Sequence, residues 1–526
     1  MNENCSINLF MGSILISTRK YTYEEFKPFF LGPVSVALTK DSEKNINRSH
    51  KHLLSNLKTG RPIYGVNTGF GNLSNIAICE DDLEKLQLNL VRSHASGVGA
   101  PLSLGIVRVL MFLKLLTFSK GYSGVSINLV KTMVQLLNLD IIPIIPKKGS
   151  VGASGDLAPL GHIALVLIGE GEVFFRGKKV KTMTAFRKTR IVPISLKPKE
   201  GLSLINGTQV STAIAVKTLI DGEKLLLAAD IAGALSVENS FSSKKVFSKR
   251  IHDLKQHPGQ KASARNILKL LDNSNIVYSH KDCGKIQDPY SFRCIPHVHG
   301  ASRDMFNNAA IIINNEINSV SDNPLVFDKN SIETSGHFHA EHIAMALDSL
   351  AFSFSELGSI SERRIHYFMK GIGIKVPQFV AKKPGLESGY MIAHVTSSSL
   401  ASENKTLSHP ANVDSLPTSG GQEDLVSMAP WAGYKVIQIQ KNVNYIFAIE
   451  LIVAGAANYV VSLNKKSGKG TSKVLKLLNE ICSFDKRDRS LQYEITEVYK
   501  VLKLGHFQQD ISKYLTESQE AINFYY

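Results

Sequence analysis

The side chains best suited to acid–base and binding chemistry gather in short stretches rich in glycine, serine and asparagine. These are 64–71 (YGVNTGFG), 92–99 (RSHASGVG), 149–162 (GSVGASGDLAPLGH), 203–209 (SLINGTQ), 286–294 (IQDPYSFRC), 335–342 (SGHFHAEH) and 416–428 (LPTSGGQEDLVSM). Loops that carry polar side chains over a rigid scaffold are the usual plan of an active site. Tyr64 and Tyr290 are phenols able to move protons, or half-buried tyrosines with one hydrogen bond each. Arg293 follows Tyr290 at i,i+3 spacing, so one helical turn puts both on one face. Its guanidinium suits a carboxylate clamp, or else a surface ion pair. Asn206 and Gln287 offer amides to polar ligand groups, or cap turns. Glu423 is either a base or a favourable charge entering the next helix.

The loop 149–162 has a front half too rich in Gly and Ser for a helix interior and a back half, from Leu157, that reads as an apolar helix. A cap, an anion-binding loop and a chemically special turn all fit that pattern. A phosphate loop would need G-x-x-x-x-G-K-[ST], or G-x-G-x-x-G after a strand, and neither is present. A serine nucleophile elbow is also missing, because Ala153 rather than Gly precedes Ser154 with Gly152 one further back. His337, His339 and His342, and separately His297 and His299, raise a metal hypothesis. No thiolate lies near the first run, and on a helix its rings would splay over more than one face, so no metal is expected.

Helical periodicity dominates the elements that must hold these loops. Helices are predicted over 102–119, 207–238 (with Asn206 as N-cap), 302–319, 339–368 and 431–463, and the one clear strand signal is a hairpin over 172–182 turning at Arg176-Gly177. The fold class is therefore mainly α, a long-helix bundle core with a smaller mixed N-terminal region. The chain reads as an N-terminal domain over 1–200, a central bundle over 201–465 and a C-terminal helical segment over 466–526. At 526 residues and 43% hydrophobic it can bury a large core. A formal charge of +16 is dispersed without interleaved aromatics, which argues against nucleic acid. The five cysteines have neither zinc nor disulfide-framework spacing, which suits a reducing cytoplasm. No apolar run reaches spanning length, so no membrane partner is expected. The N-terminus lacks a basic region ahead of its apolar patch, and Met11 offers an alternative start to Met1.

Ala153-Ser154-Gly155 within GSVGASGDLAPLGH resembles the signature of the histidine and phenylalanine ammonia-lyase family. The stretches SLINGTQVSTA, QDPYSFRC, VSDNPLVF, SERRI and HPANVDSLPTS are similar to family motifs, and the likeness runs from about residue 20 to at least 460. It implies an ammonia-lyase-like fold and a cofactor made from the chain, 4-methylidene-imidazol-5-one (MIO), with no external cofactor. The Gly155 nitrogen would attack the Ala153 carbonyl carbon, and Ser154 would lose its hydroxyl as water. Small residues permit the compressed turn this needs, and helices starting near Asp156 and Asn206 would stabilise negative charge on the ring. The resemblance further implies that Tyr64 is the base taking the β-proton and Arg293 grips the substrate carboxylate. Asn206, Gln287 and Tyr290 would surround ring and amine, and Phe338 would be an aromatic wall. It also implies a homotetramer whose sites combine loops from several chains.

Two positions speak to the substrate. Family members acting on histidine resemble Ser-His where this chain has Ser93-His94, and Gln422-Glu423-Asp424 differs from the N-Q-D of enzymes acting on phenylalanine and tyrosine. A site pairing imidazole nitrogens would reject phenyl rings by leaving its own polar groups unpaired. The expected reaction is loss of ammonia from L-histidine to give urocanate. The alternative is another MIO enzyme, a tyrosine or phenylalanine ammonia-lyase or a 2,3-aminomutase. Departures from the family pattern are His337 for a usual Asn, His297 for a usual Gln, and His342 for a usual Pro or small residue.

Overall fold

A computed structural model of the chain describes residues 13–280, 285–461, 465–485 and 488–517. It is mainly α. The apolar stretch at 102 forms the helix Leu104–Ser119, in which every residue from Gly105 to Ser119 is buried, as an all-round apolar helix must be. The other long helices are Gln209–Asn239, Ile295–Ile317, Glu341–Met369 and Ala429–Val461. The third starts earlier than the periodicity indicates. Pro296 at its second position is no obstacle there, since the missing N–H would have no intrahelical partner.

Asn206 does not cap the long helix. It is the extended residue closing the short helix Glu200–Ile205, with φ −87° and ψ 136°, and Gly207 and Thr208 separate it from Gln209. The capping acceptor is the fully buried Asp156 carboxylate, which takes the Ser211 N–H at 2.8 Å. The hairpin forms as predicted, from Glu172–Phe175 and Lys178–Lys181, with positive φ at both Arg176 and Gly177. Ile142–Pro143 extends it to three antiparallel strands. Further short pairs form, including Val98–Pro101 against Pro146–Lys148. They are too brief to show alternation in sequence.

Two compact units emerge, and neither is a contiguous segment. The first comprises Met1–Lys217, Ile312–Met345 and Ala411–Trp431, the second Thr218–Ile311, Ala346–Pro410 and Ala432–Tyr526. This differs from the three consecutive segments expected, because four of the five unit boundaries fall within the long helices and the fifth, at Pro410, in a loop. A second expectation also gives way. Glu341–Met369 and Ala429–Val461 are long and apolar enough to cross a membrane by length and composition, but 72% and 78% of their apolar windows are buried in the protein. Cys79, Cys294 and Cys482 are free thiols, whereas Cys5, Cys283 and Met11 lie outside the described residues.

Each unit buries charge. In the second, Asp230 accepts from Arg303 at 2.6 Å, Ser263 at 2.7 Å, Asn266 at 2.8 Å and His299 at 2.9 Å. Burial opposes its ionisation, yet Arg303 and His299 hold it well below the usual carboxylate range. Glu450 similarly meets the buried Arg364 in a two-pronged pair. In the first unit, Lys114 and Lys199 are both buried near the single carboxylate of Asp322. Burial pushes Lys114 down from 10.5 to about 7, against the pull of Asp322. Between those values the unfolded chain holds a proton that the folded chain has released. This residue's contribution to stability therefore rises with pH across that window. The native chain should gain more in denaturant midpoint than Lys114→Met when pH is raised from about 7 to about 9; equal gains would remove Lys114 as the titrating group.

Candidate active site

The tripeptide turn is held from both sides within the first unit. Gly152 and Gly155 have φ of +68° and +81°, a region open to glycine at little cost. The Gly152 carbonyl accepts from Ser427 Oγ at 2.9 Å and from Ala340 N at 3.2 Å, and Met428 N donates to the Val151 carbonyl at 2.8 Å. On the other side Gly155 pairs with Gly207, and the Asp156 N–H donates to the Gly207 carbonyl at 2.8 Å. A Cβ on Gly155 would lie 2.3 Å from Gly207 N, so only glycine allows this approach. Asp156 ties the turn further, accepting from Ser150 Oγ and Ser211 Oγ, both at 2.9 Å. Burial raises the Asp156 pKa against these hydrogen bonds. The helix Leu157–Leu167 starts directly beyond, its positive end adjoining the turn.

Ala153 and Ser154 open onto a cavity of about 1130 Å³, lined entirely by residues of the first unit. Tyr64, Ser93, His94, Asn206, Phe338 and Glu423 all line it. Glu423 accepts from the Ser154 hydroxyl through one carboxylate oxygen and from Thr418 Oγ1 through the other. Thr418 and Glu423 also pair through their backbones across the Gly420-Gly421 turn. His94 sits at the last position of the helix Leu83–His94, where its Nδ1 donates to the Leu90 carbonyl at 2.8 Å. That bond leaves Nε2 as an acceptor on the neutral ring. Burial lowers the His94 pKa, and the nearby Glu423 charge partly restores it. The Tyr64 hydroxyl accepts from Gly71 N at 3.1 Å. The 64–71 loop is hooked to the Glu423 loop by Asn72, whose amide donates to the Gly420 carbonyl at 2.9 Å.

Asn206 Oδ1 is buried at the cavity with no hydrogen-bond partner among the described residues, an acceptor that costs stability unless a ligand satisfies it. Asn323, not singled out by sequence, and His339, raised there only as a metal-ligand candidate, also line the cavity. Thr418 was likewise missed, although Thr-Ser before a Gly-Gly turn is a signal for a hydroxyl close to Glu423.

Gln287, Tyr290 and Arg293 belong to the second unit and are not among the cavity's lining residues. Tyr290 and Arg293 do share one helical turn, with the guanidinium 4.5 Å from the ring centre. Tyr290 is 70% exposed, Gln287 is exposed, and Arg293 Nε has no partner among the described residues. The turn is anchored from behind. Arg364 Nη1 donates to the Ser291 carbonyl at 3.4 Å, Phe292 packs edge-on to Tyr367, and Asp288 accepts from Ser243 N at 2.7 Å. His297, His337 and His342 also lie outside the cavity lining. His337 bonds Ser335, and the His297 ring lies against His252. Among the described residues no three His, Cys, Asp or Glu side chains converge as a metal would require.

Comparison with known proteins agrees with this arrangement. Residues 21–480 match the family described as aromatic amino acid lyase. The chain is 47% identical to a histidine ammonia-lyase of Burkholderia multivorans over 84% of this chain and 87% of that one. Its fold matches the crystal structure of histidine ammonia-lyase from Trypanosoma cruzi with a TM-score of 0.87 at 33% identity, covering 96% of each chain. It matches the tyrosine aminomutase of Streptomyces globisporus with a TM-score of 0.89 at 30% identity, covering 95% of this chain and 99% of that one. A self-cradled Ala-Ser-Gly turn facing a polar cavity, with a matching family over most of its length, places this protein in the aromatic amino acid lyase family.

Proposed function

We propose that this chain is a histidine ammonia-lyase, removing ammonia from L-histidine to give trans-urocanate, the opening step of histidine degradation, in the cytoplasm. The observation that carries this reading is that His94 and Glu423 line the same cavity as Ser154. His94 Nε2 and the Glu423 carboxylate present acceptors to an imidazole ring, whose N–H can pair with one of them and, when the ring is protonated, with both. A phenyl or phenol ring would leave buried acceptors unpaired along its C–H edges, which costs on the order of 1–3 kcal/mol per group. Relatives named histidine ammonia-lyase support the same choice.

The residues present fit a cofactor grown from Ala153-Ser154-Gly155. The turn leaves no room for a Cβ between Gly155 and Gly207, and the Val151 and Gly152 carbonyls just before it are hydrogen-bonded, so a compressed Ala153-Ser154-Gly155 turn is braced at both ends. Once formed, MIO supplies an electrophile that no ordinary side chain offers. Tyr64 then takes the β-proton of the substrate. Asn206 presents its unsatisfied amide oxygen to the amine, and Phe338 closes one wall. The positive end of the helix Leu157–Leu167 stabilises negative charge as it develops beside Gly155.

Gln287, Tyr290 and Arg293 reach substrate, in this reading, from a neighbouring copy in a homotetramer. The exposure of Gln287 and Tyr290 and the unpaired, buried Arg293 Nε support this, as does the absence of all three from the first unit's cavity lining. Arg293 there grips the carboxylate and Tyr290 and Gln287 approach the amine.

Added L-histidine should give the rising absorbance of urocanate, with little turnover of tyrosine or phenylalanine. A β-amino acid formed with little ammonia would instead identify an aminomutase. Ser154→Ala should fold normally, keep its full mass rather than lose two waters, and lose activity; full turnover in that variant rules out MIO. Tyr64→Phe should lower kcat about 10²–10⁴-fold with KM little changed. Mixing inactive Tyr64→Phe and Arg293→Ala chains during refolding should restore part of the activity. No recovery would mean that each site is built by one chain.

A further inference from the structure

Lys114 places an amine in the middle of a mostly apolar helix and lies 1% exposed. Its Nζ donates to the backbone carbonyl of Asn206. The peptide so held, Asn206–Gly207, is the wall against which the tripeptide is pressed. A Cβ on Gly155 would meet the nitrogen, carbonyl carbon and oxygen of Gly207, all within 2.8 Å. The Gly207 carbonyl in turn accepts from Asp156 N at 2.8 Å. Gly207 itself has φ +123°, and on its far side a Cβ would fall 2.2 Å from the Ser321 carbonyl oxygen. Gly207 therefore has no side chain to lock it. Other polar fastenings of this stretch are the bond from Asp156, Asn206 N to the Leu202 carbonyl at 2.9 Å and, in the next residue, Thr208 N to Ser321 Oγ at 3.3 Å.

Lys114 also feels the Asp322 charge and lies 5.5 Å from the Phe118 ring centre, but its hydrogen bond goes to the Asn206 carbonyl. Asp322 already pairs with Lys199 at 3.3 Å, and Lys199 also donates to Ser203 Oγ at 2.7 Å. A buried amine beside another lysine is costly, and a methionine of similar length would fill the space without that cost. What the amine adds is a strong, directional hold on one backbone carbonyl.

We propose that Lys114 is a positioning residue for ring closure at Ala153-Ser154-Gly155, acting through the Asn206–Gly207 peptide. This rests on the MIO reading above. In ring closure the Gly155 nitrogen bonds to the Ala153 carbonyl carbon, and its proton passes to the carbonyl oxygen. That oxygen leaves as water with the Ser154 amide proton, giving a C=N bond. Ser154 then loses its α-proton and hydroxyl as the second water, and no oxidant is required. The attack needs Gly155 held forward against Ala153. Fixing the Asn206–Gly207 peptide keeps the space behind Gly155 closed, so the turn cannot relax backward.

The test is intact mass followed over time after refolding of the full chain, for the native protein, Lys114→Met and Lys114→Arg, with thermal unfolding measured alongside. Native chain should lose two waters. Lys114→Met should unfold at a temperature close to native yet close its ring roughly ten- to hundredfold more slowly, as expected when one buried carbonyl loses its donor. Lys114→Arg, which keeps a donor, should mature faster than the Met variant. Should the Met variant fail to fold, Lys114→Gln is read in the same way. Maturation of folded Lys114→Met or Lys114→Gln at the native rate overturns the proposal. A native chain that never loses two waters overturns the MIO reading itself, which separates the two failures.

Discussion

The close approach of Gly155 to Gly207 is the constraint on which the rest of the site depends. Two backbones meet with no side chain between them, and an added Cβ on either would strike backbone atoms. One glycine ends the tripeptide turn and the other precedes the long helix Gln209–Asn239. Through them the start of that helix, the start of Leu157–Leu167 and the reactive turn become one object. The Asp156 carboxylate joins the same three pieces by hydrogen bonds to Ser150 and to both the amide and hydroxyl of Ser211. Two helix ends then converge on a point where negative charge must be tolerated.

The second unit meets its electrostatic problem differently. Asp230 and Glu450 are ionisable groups with no water around them, and each is surrounded by donors from other helices. Such networks are costly if half satisfied and restrictive if complete. The one built on Glu450 reaches the Tyr290–Arg293 turn, because Arg364 holds Ser291 with the arm not engaged by the carboxylate. A short helix at the surface is thus fixed by a buried ion pair.

The long helices were legible in sequence because their apolar patterning is strong, and the tripeptide because its order of small residues has few other uses. The long-range partnerships were not legible. Asp156 caps a helix that begins more than fifty residues later, and the propensity-based choice of Asn206 failed because the chain needed an extended residue and a glycine at that point. The short strand pairs, such as Val98–Pro101 with Pro146–Lys148, carry no periodic signal, although this pair brings the Ser93-His94 loop beside the tripeptide loop. Sequence order also groups Arg293 and Tyr290 with the other polar loops, although they belong to the second unit and the cavity-lining residues to the first. Lys114 stands with Arg108 in an otherwise mostly apolar run, where a lysine reads as an outward-facing stem rather than a buried donor.

The bond from Asn72 to Gly420 has a mechanical meaning. Tyr64 is fastened to Gly71, next to Asn72, and Glu423 is fastened to Thr418, close to Gly420. With that bond intact, a displacement of the first loop drags the second with it. The phenol of Tyr64 and the carboxylate of Glu423, far apart in the chain, are thereby held to one frame, and a change that cuts the Asn72 bond alters the spacing between them rather than either group alone.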